Sequence, residues 1–265
     1  MTFTQNIGIH GTFGTFTHFQ KTELVQHGFT TRNLKNGSTW DLNTKTSDLE
    51  VTGSNLAVLA VEMNLALEDL VLSDQVHGNR IREVCGNDTG FGTNIRAEHR
   101  GMDGLITNER KLGLVTFYAD CVPLFLLDPK NKAIGLAHAG WKGTLLEIGK
   151  NALRAMKKAY GTDPADILVG IGPSIGPCCF EIGKDVADIM LDAHPGWVKY
   201  MESKSKDKFH VDLWQINRDQ FMASGVLNHN IETAALCTKC NDKLYYSYRR
   251  EGSAAGRMAA IMTLI

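Results

Sequence analysis

Residues 111–144 read KLGLVTFYADCVPLFLLDPKNKAIGLAHAGWKGT, and the rest of the chain is interpreted around them. Three short apolar runs, 112–117, 122–127 and 133–137, are bounded by turn residues and predict buried strands. The polar segment 128–132 contains an Asp-Pro pair, which favours a turn between the second and third runs. The last two strands are therefore predicted to form a β-hairpin.

The predicted register of this hairpin brings a cysteine and a histidine to the same end. Pairing Leu127 with Ala133 places Val122 opposite His138, and paired residues have Cβ atoms about 5 Å apart. Because side chains alternate between the two faces of a strand, Cys121 can face His138 only where the strand breaks. The proline that follows Val122 favours such a break, since it has no N–H to donate to a ladder.

A helix is predicted directly after the hairpin. Apolar residues between 148 and 159 recur at helical spacing, Thr144 and Glu147 form a predicted capping box, and Gly161 supplies the stop. A strand that ends in a glycine-rich turn and opens a helix is a common place for ligand chemistry.

The remaining segments give weaker patterns. In chain order, we predict an edge hairpin around 11–14, a helix over 55–65 capped by Ser54, a strand-like segment from 71 to 85, a flap over 86–101, a strand over 167–171, a helix over 185–193, a polar loop over 203–208, a helix capped by Asp212 and stopped by Gly225, and strands over 245–252 and 256–261.

Composition limits the classes of function. The chain has 265 residues, of which 43% are hydrophobic and 22% charged, and its net charge of −1 gives no basis for binding nucleic acid or a membrane surface. The N-terminus lacks the pattern of a signal peptide, and the longest apolar segment is too short to span a membrane. Without a visible repeat or linker, we expect one domain over residues 1–265, cytoplasmic, as a monomer or homodimer.

The six cysteines do not form a disulfide framework in a chain of this length. They are expected to be core thiols, metal ligands or nucleophiles. Cys237 and Cys240 form a CxxC motif, but no second CxxC or HxxxH accompanies it, and no thioredoxin-like pattern surrounds it. The sequence therefore predicts two ordinary thiols at these positions.

Three residues form a set that suits zinc. Two imidazoles, from His77 and His138, with the thiolate of Cys121 would leave a fourth position for water, as catalytic zinc sites do. A zinc ion in such a site lowers the pKa of its water to about 7. The same Cys121 and His138 could instead act without metal as a nucleophile and its base, and His77 alone could be a structural histidine.

Other polar residues leave two interpretations open. Arg32 could hold an anion or form a structural ion pair. Ser174, between Gly172 and Gly176, could belong to an anion-binding nest or to a tight turn. Asp120, beside Cys121, could be a general acid or base, or could orient a histidine ligand.

Several blocks together carry a resemblance to a known family. The chain resembles the bacterial polyphenol oxidase (laccase-domain) proteins, also called peptidoglycan editing factors, from about His27 to its C-terminus. Its segment 33–38 replaces the glycine-rich segment that the family has after HGFTTR. The matching blocks are QVHG at 75–78, DGLIT at 103–107, YADCVPLFLLDP at 118–129, AHAGWKGT at 137–144, GPSIGPCCFEIG at 172–183 and SYRREGSAAGR at 247–257.

The resemblance implies a fold, a metal and an activity. The fold is an α/β domain with mixed β-sheets sandwiched by helices, and the metal is zinc, bound by His77, Cys121 and His138. The activity is phosphorolysis of adenosine, inosine, guanosine and methylthioadenosine to base and pentose 1-phosphate, with hydrolytic deamination of adenosine. The implied partners are thus nucleosides and phosphate. Candidate substrate contacts are Arg32, Asn43, Gln75, Ser174 and Arg249.

Three alternatives remain at this stage. A copper polyphenol oxidase is disfavoured, because the motifs supply no cluster of additional histidines for several copper ions. A metal-free cysteine hydrolase acting on an amide would use Cys121 as nucleophile and His138 as base. A non-enzymatic factor in cell-wall synthesis would keep the metal as a structural ion.

Overall fold

The computed structural model describes residues 3–45, 48–89 and 101–265, apart from the side chain of Leu49. The predicted flap over 86–101 lies largely outside these ranges. None of the described helices has both the length and the apolar character needed to cross a membrane.

The elements follow one another as short strands and helices along the chain. The strands are β1 (Phe3–Ile7), β2 (Gly11–Phe16), β3 (Val25–Leu34), β4 (Leu70–Leu72), β5 (Ile81–Glu83), β6 (Gly104–Thr107), β7 (Gly113–Tyr118), β8 (Val122–Asp128), β9 (Ala133–Ala139), β10 (Leu168–Ile171), β11 (Glu181–Gly183), β12 (Met201–Ser205), β13 (Lys208–Val211), β14 (Ile231–Thr233) and β15 (Met258–Leu264). The helices are α1 (Thr17–Gln20), α2 (Leu49–Glu62), α3 (Trp141–Leu145), α4 (Ile148–Tyr160), α5 (Lys184–Ala193), α6 (Leu213–Ala223) and α7 (Tyr248–Glu251).

The described strands form two six-stranded sheets and a three-stranded one. The first sheet has the order β1-β2-β3-β15-β7-β4, the second β14-β10-β8-β9-β6-β5, and the third β11-β13-β12. Both large sheets are mixed, because β4 and β7 pair in parallel in the first, and β5–β6 and β10–β14 do so in the second, among antiparallel neighbours.

The two large sheets pack face to face, because side chains along the central strands point alternately to the two faces of each sheet. On β8, Phe125 and Leu127 pack in the cluster between the two sheets, whereas Leu124 and Leu126 point away, into the cluster that includes α4 and α6. On β7, Val115 faces the cluster that includes α2. Each such side chain is buried and stabilises the fold by roughly 1.5–3 kcal/mol. This layering confirms the predicted α/β class with mixed sheets between helices.

The central hairpin forms as predicted, but its register differs by one residue. Asp128, and not Leu127, pairs with Ala133. The Asp128 carboxylate accepts hydrogen bonds from the backbone N–H groups of residues 130 and 131, each at 3.0 Å, so the loop starts one residue later and is one residue shorter than predicted. The hydrogen bonds of the Asp128 side chain therefore set the register. The apolar pattern alone predicted a register that is wrong by one residue.

Two predicted helix starts are wrong. Helix α2 begins six residues before the predicted start, because Asp48 and not Ser54 is the cap, and its Oδ1 accepts the N–H of Val51 at 3.1 Å. Thr144 lies inside the short helix α3, where its hydroxyl accepts a hydrogen bond from Asn217 at 3.0 Å. The left-handed residue before α4 is Glu147, with φ 57°, so no capping box forms.

Four strand and loop predictions also need correction. The first hairpin turns at residues 8–10 between β1 and β2, and residues 73–80 form no strand. Residues 203–208 belong to the hairpin of β12 and β13. The segment 245–252 contains α7, because the Ser247 hydroxyl accepts the N–H of Arg250 and starts a helix where alternation suggested a strand.

Several predicted helix and strand ends are confirmed. Gly161 ends α4 with φ 74°, as a left-handed glycine does. Asp212 caps α6 by accepting the N–H of Gln215 at 3.0 Å. Strand β10 and helix α5 lie within one residue of their predicted limits, whereas the last strand, β15, starts at Met258 and runs to Leu264.

Candidate metal centre

Cys121 and His138 meet at the open end of the central hairpin. Strand β7 ends at Tyr118 and β8 begins at Val122, and between them Asp120 turns the chain with φ 88°. Cys121 therefore lies in a chain reversal, as the expected strand break requires. His138 lies on β9, a fully buried inner strand of the second sheet, which holds it in place.

His77 reaches the same point from the loop after β4. Its backbone has φ 62°, a left-handed conformation that turns the loop back towards the hairpin. The ligand atoms of His77, Cys121 and His138 all lie within 4.8 Å of one another. The two imidazole rings are 4.9 Å apart between centroids and tilted by 75°.

The site has a buried floor and an open side. His138 is only 3% exposed, Cys121 is half-buried and His77 is exposed. A Cβ atom at Gly140 would lie 3.0 Å from Cys121 Sγ and 3.0 Å from His77 Cδ2. Glycine is thus needed at this position to keep the space between the two ligands.

A fully buried carboxylate fixes the geometry of the histidines. Asp103 Oδ1 lies 2.9 Å from His138 Nδ1, so the carboxylate makes Nδ1 the protonated nitrogen and leaves Nε2 as the ligand atom. The same carboxylate accepts backbone N–H groups from Val76, His77 and Gly78 at 2.8–3.2 Å. Asp103 therefore holds both the ring of His138 and the loop that carries His77.

The charges of these groups reinforce one another. Burial alone would raise the pKa of the Cys121 thiol, but His138 and His77 lower it to about 6. Burial would lower the pKa of His138, yet Cys121 and Asp103 raise it to about 9. The pKa of Asp103 stays below its ordinary value despite burial, because His138 and backbone N–H groups stabilise the carboxylate. Cys121 is thus a thiolate at neutral pH.

This donor set fits one zinc ion. Two imidazoles and one thiolate are the ligands zinc accepts, and three protein ligands leave a further position on the exposed side. In the described ranges, the only other group of this kind consists of four cysteines and contributes no histidine. The set does not fit a cluster of several copper ions, which would need more imidazoles.

A cavity of about 730 Å³ opens above the three residues, a volume typical of small-ligand sites. Its walls combine polar, charged and aromatic side chains. It is lined by Asn43, Thr44, Lys45, Ser73, Gln75, His77, Phe117, Ala119, Asp120, Cys121, His138, Gly140, Trp141, Ile175, Phe180, Leu213, Tyr248, Arg249 and Arg257.

Three of the five predicted substrate contacts line this cavity. They are Asn43, Gln75 and Arg249. The amide of Gln75 is fixed at both ends, since Nε2 donates to Phe117 O at 2.7 Å and Oε1 accepts Phe117 N at 2.8 Å. The guanidinium of Arg249 lies 5.6 Å over the ring of Phe180 and uses Nη1 to reach Cys179 O at 3.2 Å.

The other two predicted contacts, Arg32 and Ser174, are not among the residues that line this cavity. Arg32 donates from Nη1 to Glu251 and to Asp242 O, each at 3.0 Å, so it holds a structural ion pair. Ser174 is fully buried, and its hydroxyl accepts the indole N–H of Trp214 at 2.5 Å. Neither side chain is placed to contact a ligand in the cavity.

Asp120 lines the cavity, but its oxygens are used by the protein. Oδ1 accepts the Thr238 hydroxyl at 2.6 Å, and Oδ2 accepts the Ser247 hydroxyl at 3.0 Å and the N–H of Arg249 at 2.7 Å. These are the contacts of an anchor that places Arg249. The carboxylate that orients a histidine is Asp103, whereas both oxygens of Asp120 are engaged by Thr238, Ser247 and the backbone of Arg249.

Sequence reasoning missed several cavity residues. Asp103, which lies below the cavity, directly precedes an apolar strand, and a carboxylate there needs buried partners. Gly140, two residues after His138, also carried a local signal. Five further residues that line the cavity were not predicted, because whether a side chain faces the cavity depends on how separate segments pack. They are Lys45, Trp141, Phe180, Tyr248 and Arg257.

Comparison with known proteins gives a consistent picture. The family described as multi-copper polyphenol oxidoreductase laccase matches residues 26–265. Purine nucleoside phosphorylase YlmD of Bacillus subtilis (strain 168) is 34% identical over 252 residues, which are 92% of this chain and 90% of that protein.

Two solved structures share the fold. The hypothetical protein YfiH of Bacillus licheniformis has a TM-score of 0.88 at 30% identity, covering 98% of this chain and 99% of that one. YlmD of Geobacillus stearothermophilus has a TM-score of 0.82 at 32% identity, covering 91% of this chain and 92% of that one. The similarity therefore extends over the whole arrangement that builds the cavity.

Proposed function

This chain belongs to the multi-copper polyphenol oxidoreductase laccase family, and from that membership we propose that it is a zinc-dependent purine nucleoside phosphorylase. Its substrates are adenosine, inosine, guanosine and methylthioadenosine, which it cleaves with phosphate to free base and pentose 1-phosphate. It also deaminates adenosine by hydrolysis. A similar curated protein is named purine nucleoside phosphorylase, which supports the class of reaction.

One observation carries the proposal. The ligand atoms of His77, Cys121 and His138 converge within 4.8 Å on the floor of a cavity that is large enough for a nucleoside. A buried structural metal would be closed on all sides, whereas His77 is exposed to the cavity. An open three-ligand site beside a ligand-sized cavity is typical of catalysis.

The cavity walls offer complementary contacts for the two substrates. The rings of Phe117, Trp141, Phe180 and Tyr248 give a purine apolar surface on which to stack. Arg249, Lys45 and Arg257 supply the positive charge that phosphate needs. Phosphate held by Arg249 would attack C1′ of the sugar as the purine leaves, so the residues act chiefly by positioning both partners.

The metal ligands serve both reactions, because the ion would fix the floor of the cavity against which nucleoside and phosphate are held and would activate water in the second reaction. Zinc held by His77, Cys121 and His138 would supply a Lewis acid that lowers the pKa of a water molecule, as hydrolysis at C6 of adenosine requires. Asp103 keeps His138 in the tautomer that a metal needs, by accepting from Nδ1 at 2.9 Å. Aromatic walls exclude bulk water around the base and keep the purine ring in one orientation.

A metal-free cysteine hydrolase is a second candidate, and one observation favours it. The pKa of Cys121 is lowered to about 6 by His138 and His77, against the effect of burial, so the thiolate is ready to act as a nucleophile. His138 would then be its acid–base partner. A peptidoglycan-precursor amide would be the substrate class in that case.

The test combines metal content and turnover in the same samples. Untagged wild-type protein and the variants His77→Ala and Cys121→Ser are analysed by plasma mass spectrometry. Phosphate-dependent release of hypoxanthine from inosine and release of ammonia from adenosine are then measured. The exposed histidine at position 229 gives a matched control, His229→Ala.

The expected result is that His77→Ala and Cys121→Ser lose zinc and both activities together, while His229→Ala keeps them. A wild-type protein that binds no zinc and turns over no nucleoside, but hydrolyses a peptidoglycan-precursor amide in a reaction that Cys121→Ser abolishes, would instead support the cysteine hydrolase. Copper with phenol oxidation and no phosphorolysis would reject both.

A further inference from the structure

A second group of potential metal ligands lies about the turn that follows β10. Cys178, Cys179, Cys237 and Cys240 place their Sγ atoms all within 4.8 Å of one another. Two of the distances are 3.7 Å, from Cys178 to Cys240, and 3.4 Å, from Cys179 to Cys240. The CxxC motif therefore has a second pair of cysteines beside it, which its spacing along the sequence did not reveal.

We propose that these four cysteines bind a zinc ion as a structural site, separate from the ion at His77, Cys121 and His138. A tetrahedral ion with bonds of 2.3 Å to sulfur holds its ligands about 3.8 Å apart. The separations of Cys240 Sγ from its two partners are close to this value. A covalent S–S bond, by contrast, needs a distance of about 2.05 Å.

The backbone already holds the two cysteine pairs together. Thr238 N donates to Ser174 O at 3.0 Å, and Ser174 N donates to Leu236 O at 3.2 Å, so the CxxC turn is bonded to the loop before Cys178. Within that loop, Cys179 N donates to Gly176 O at 2.9 Å. A zinc ion would thus bind four thiolates that the fold has brought close beforehand.

The surroundings offset the charge of such a site. Four thiolates and one divalent ion carry a net charge of −2, and three cations lie beside them. Arg250 Nη1 donates to Thr238 O at 3.1 Å and to Lys239 O at 2.8 Å, inside the CxxC turn. Arg249 Nη1 reaches Cys179 O at 3.2 Å, and Lys239 lies between the two cysteines of the motif.

An ion at this position would crosslink two segments that little regular structure holds together. Neither of the two joined segments is part of a helix or a long strand, and their cysteines lie 62 residues apart between 178 and 240. The segments also form one wall of the cavity, through Ile175 and Phe180. An ion here would crosslink the wall and hold Phe180 beneath the guanidinium of Arg249.

The choice of zinc follows from the ligands. Four thiolates in a tetrahedron select zinc or iron, and zinc needs no redox partner to remain bound. Bound zinc also prevents the four thiols from oxidising to disulfides, since each sulfur is already used as a ligand.

The test measures how many zinc ions the full chain binds under reducing conditions. Metal-free protein is dialysed to equilibrium against buffered zinc and analysed by plasma mass spectrometry. We expect two ions per chain in the wild type, one in Cys240→Ser and one in His77→Ala. Replacing Cys85, which lies outside both groups, by Ser should leave two.

Two further measurements keep the outcome clear. Cys240→His retains a zinc ligand at an exposed position and should restore the second ion, which distinguishes ligand loss from misfolding. Cobalt in place of zinc should give sulfur-to-cobalt absorption that falls sharply in Cys240→Ser and only slightly in His77→Ala, because three more thiolates bind at the second site.

Specific results would overturn the proposal. One ion per chain in reduced wild type, with all four thiols open to alkylation in the presence of zinc, would reject a metal site. Disulfides among these cysteines in freshly purified protein, with no second ion after reduction, would assign them to redox chemistry. Iron in place of zinc would overturn the identity of the metal. None of these results depends on nucleoside turnover, so the proposed function is tested separately.

Discussion

Asp103 Oδ1 lies 2.9 Å from His138 Nδ1, and both side chains are almost completely buried. The carboxylate fixes which nitrogen of His138 faces Cys121. It also accepts three backbone N–H groups from residues 76–78, so the same carboxylate sets the position of His77. Two of the three proposed metal ligands therefore depend on one residue outside the ligand set.

Asp103→Asn should weaken zinc binding although it changes none of the three ligand residues. One amide group cannot accept from His138 and also accept all three backbone N–H groups of residues 76–78, so the loop that carries His77 is loosened as well. The amide cannot supply the same negative charge to the imidazole, and loss of such a partner typically lowers metal affinity 10–100-fold. We expect a drop in that range, measured by competition with a fluorescent zinc chelator. Asp128→Asn is the matched control, because Asp128 is equally buried and hydrogen-bonded but lies in the hairpin turn. Equal zinc affinity in both variants would contradict this role of Asp103.

Gly140→Ala should disturb the same site by crowding. The added methyl would lie 3.0 Å from Cys121 Sγ and from His77 Cδ2, closer than ordinary contacts, so the two ligands must move apart. Overpacking of this kind costs about 1–3 kcal/mol, and we expect zinc affinity to fall about tenfold or more. Gly196→Ala adds a methyl with no atom within 4 Å and serves as control. Unchanged affinity in Gly140→Ala, by the same chelator competition, would show that the space is not needed.

His27 should make the fold sensitive to acid. It is 4% exposed, and burial, helped by the nearby charge of His18, lowers its pKa from 6.5 to about 3. The unfolded chain therefore binds the additional proton between pH 6.5 and 3, and stability falls as the pH drops through that window. From pH 7.5 to pH 5 the loss from this one group is about 2 kcal/mol.

Urea unfolding at the two pH values measures this loss. His27→Gln should remove most of it, because the amide oxygen can still accept the N–H of Phe16, which His27 Nε2 now accepts at 2.8 Å, but it does not titrate. His10→Gln changes an exposed histidine and should lose as much unfolding free energy between the two pH values as the wild type does. The same loss of stability in wild type and His27→Gln would assign the acid sensitivity to other groups.

The sequence predicted the centre of this site better than its walls. Cys121, in the turn before β8, and His138, on β9, lie at the same end of one hairpin, so a local argument was enough to bring them together. His77 and Asp103 come from separate segments, and only the completed second sheet places them beside the hairpin. The register was off by one residue, because it depends on hydrogen bonds of Asp128 that an apolar pattern does not include.

The wrong predictions have a common physical cause. Arg32 and Ser174 carry side chains that suit an anion, but their distant partners, Glu251 and Trp214, engage them within the fold. Spacing along the chain cannot reveal a partner that lies 219 or 40 residues away. The same limit hid the second cysteine pair, whose Cys178 lies 62 residues before Cys240.

Three contacts fix the position of Arg249 in the wall of the cavity. Its backbone N–H donates to Asp120 Oδ2 at 2.7 Å, and its guanidinium lies 5.6 Å over the ring of Phe180. Nη1 is used by Cys179 O at 3.2 Å, and the hydrogen bonds found in the described ranges leave Nε and Nη2 for a ligand. Because a guanidinium with two donors available suits an anion, we predict that Arg249 contacts the phosphate and not the base.

Arg249→Ala should therefore raise the KM for phosphate and leave the KM for inosine nearly unchanged. A hydrogen bond to a charged group contributes about 1.5–3 kcal/mol, which corresponds to an increase of about 10–150-fold. Initial rates of phosphorolysis at varied phosphate and fixed saturating inosine measure it. Arg154→Ala removes a cation on the outer face of α4, outside the cavity, and should behave as wild type. If Arg249→Ala instead raised only the KM for inosine, the guanidinium would be a base contact, and the phosphate would have to be held by the other two cations that line the cavity, Lys45 and Arg257.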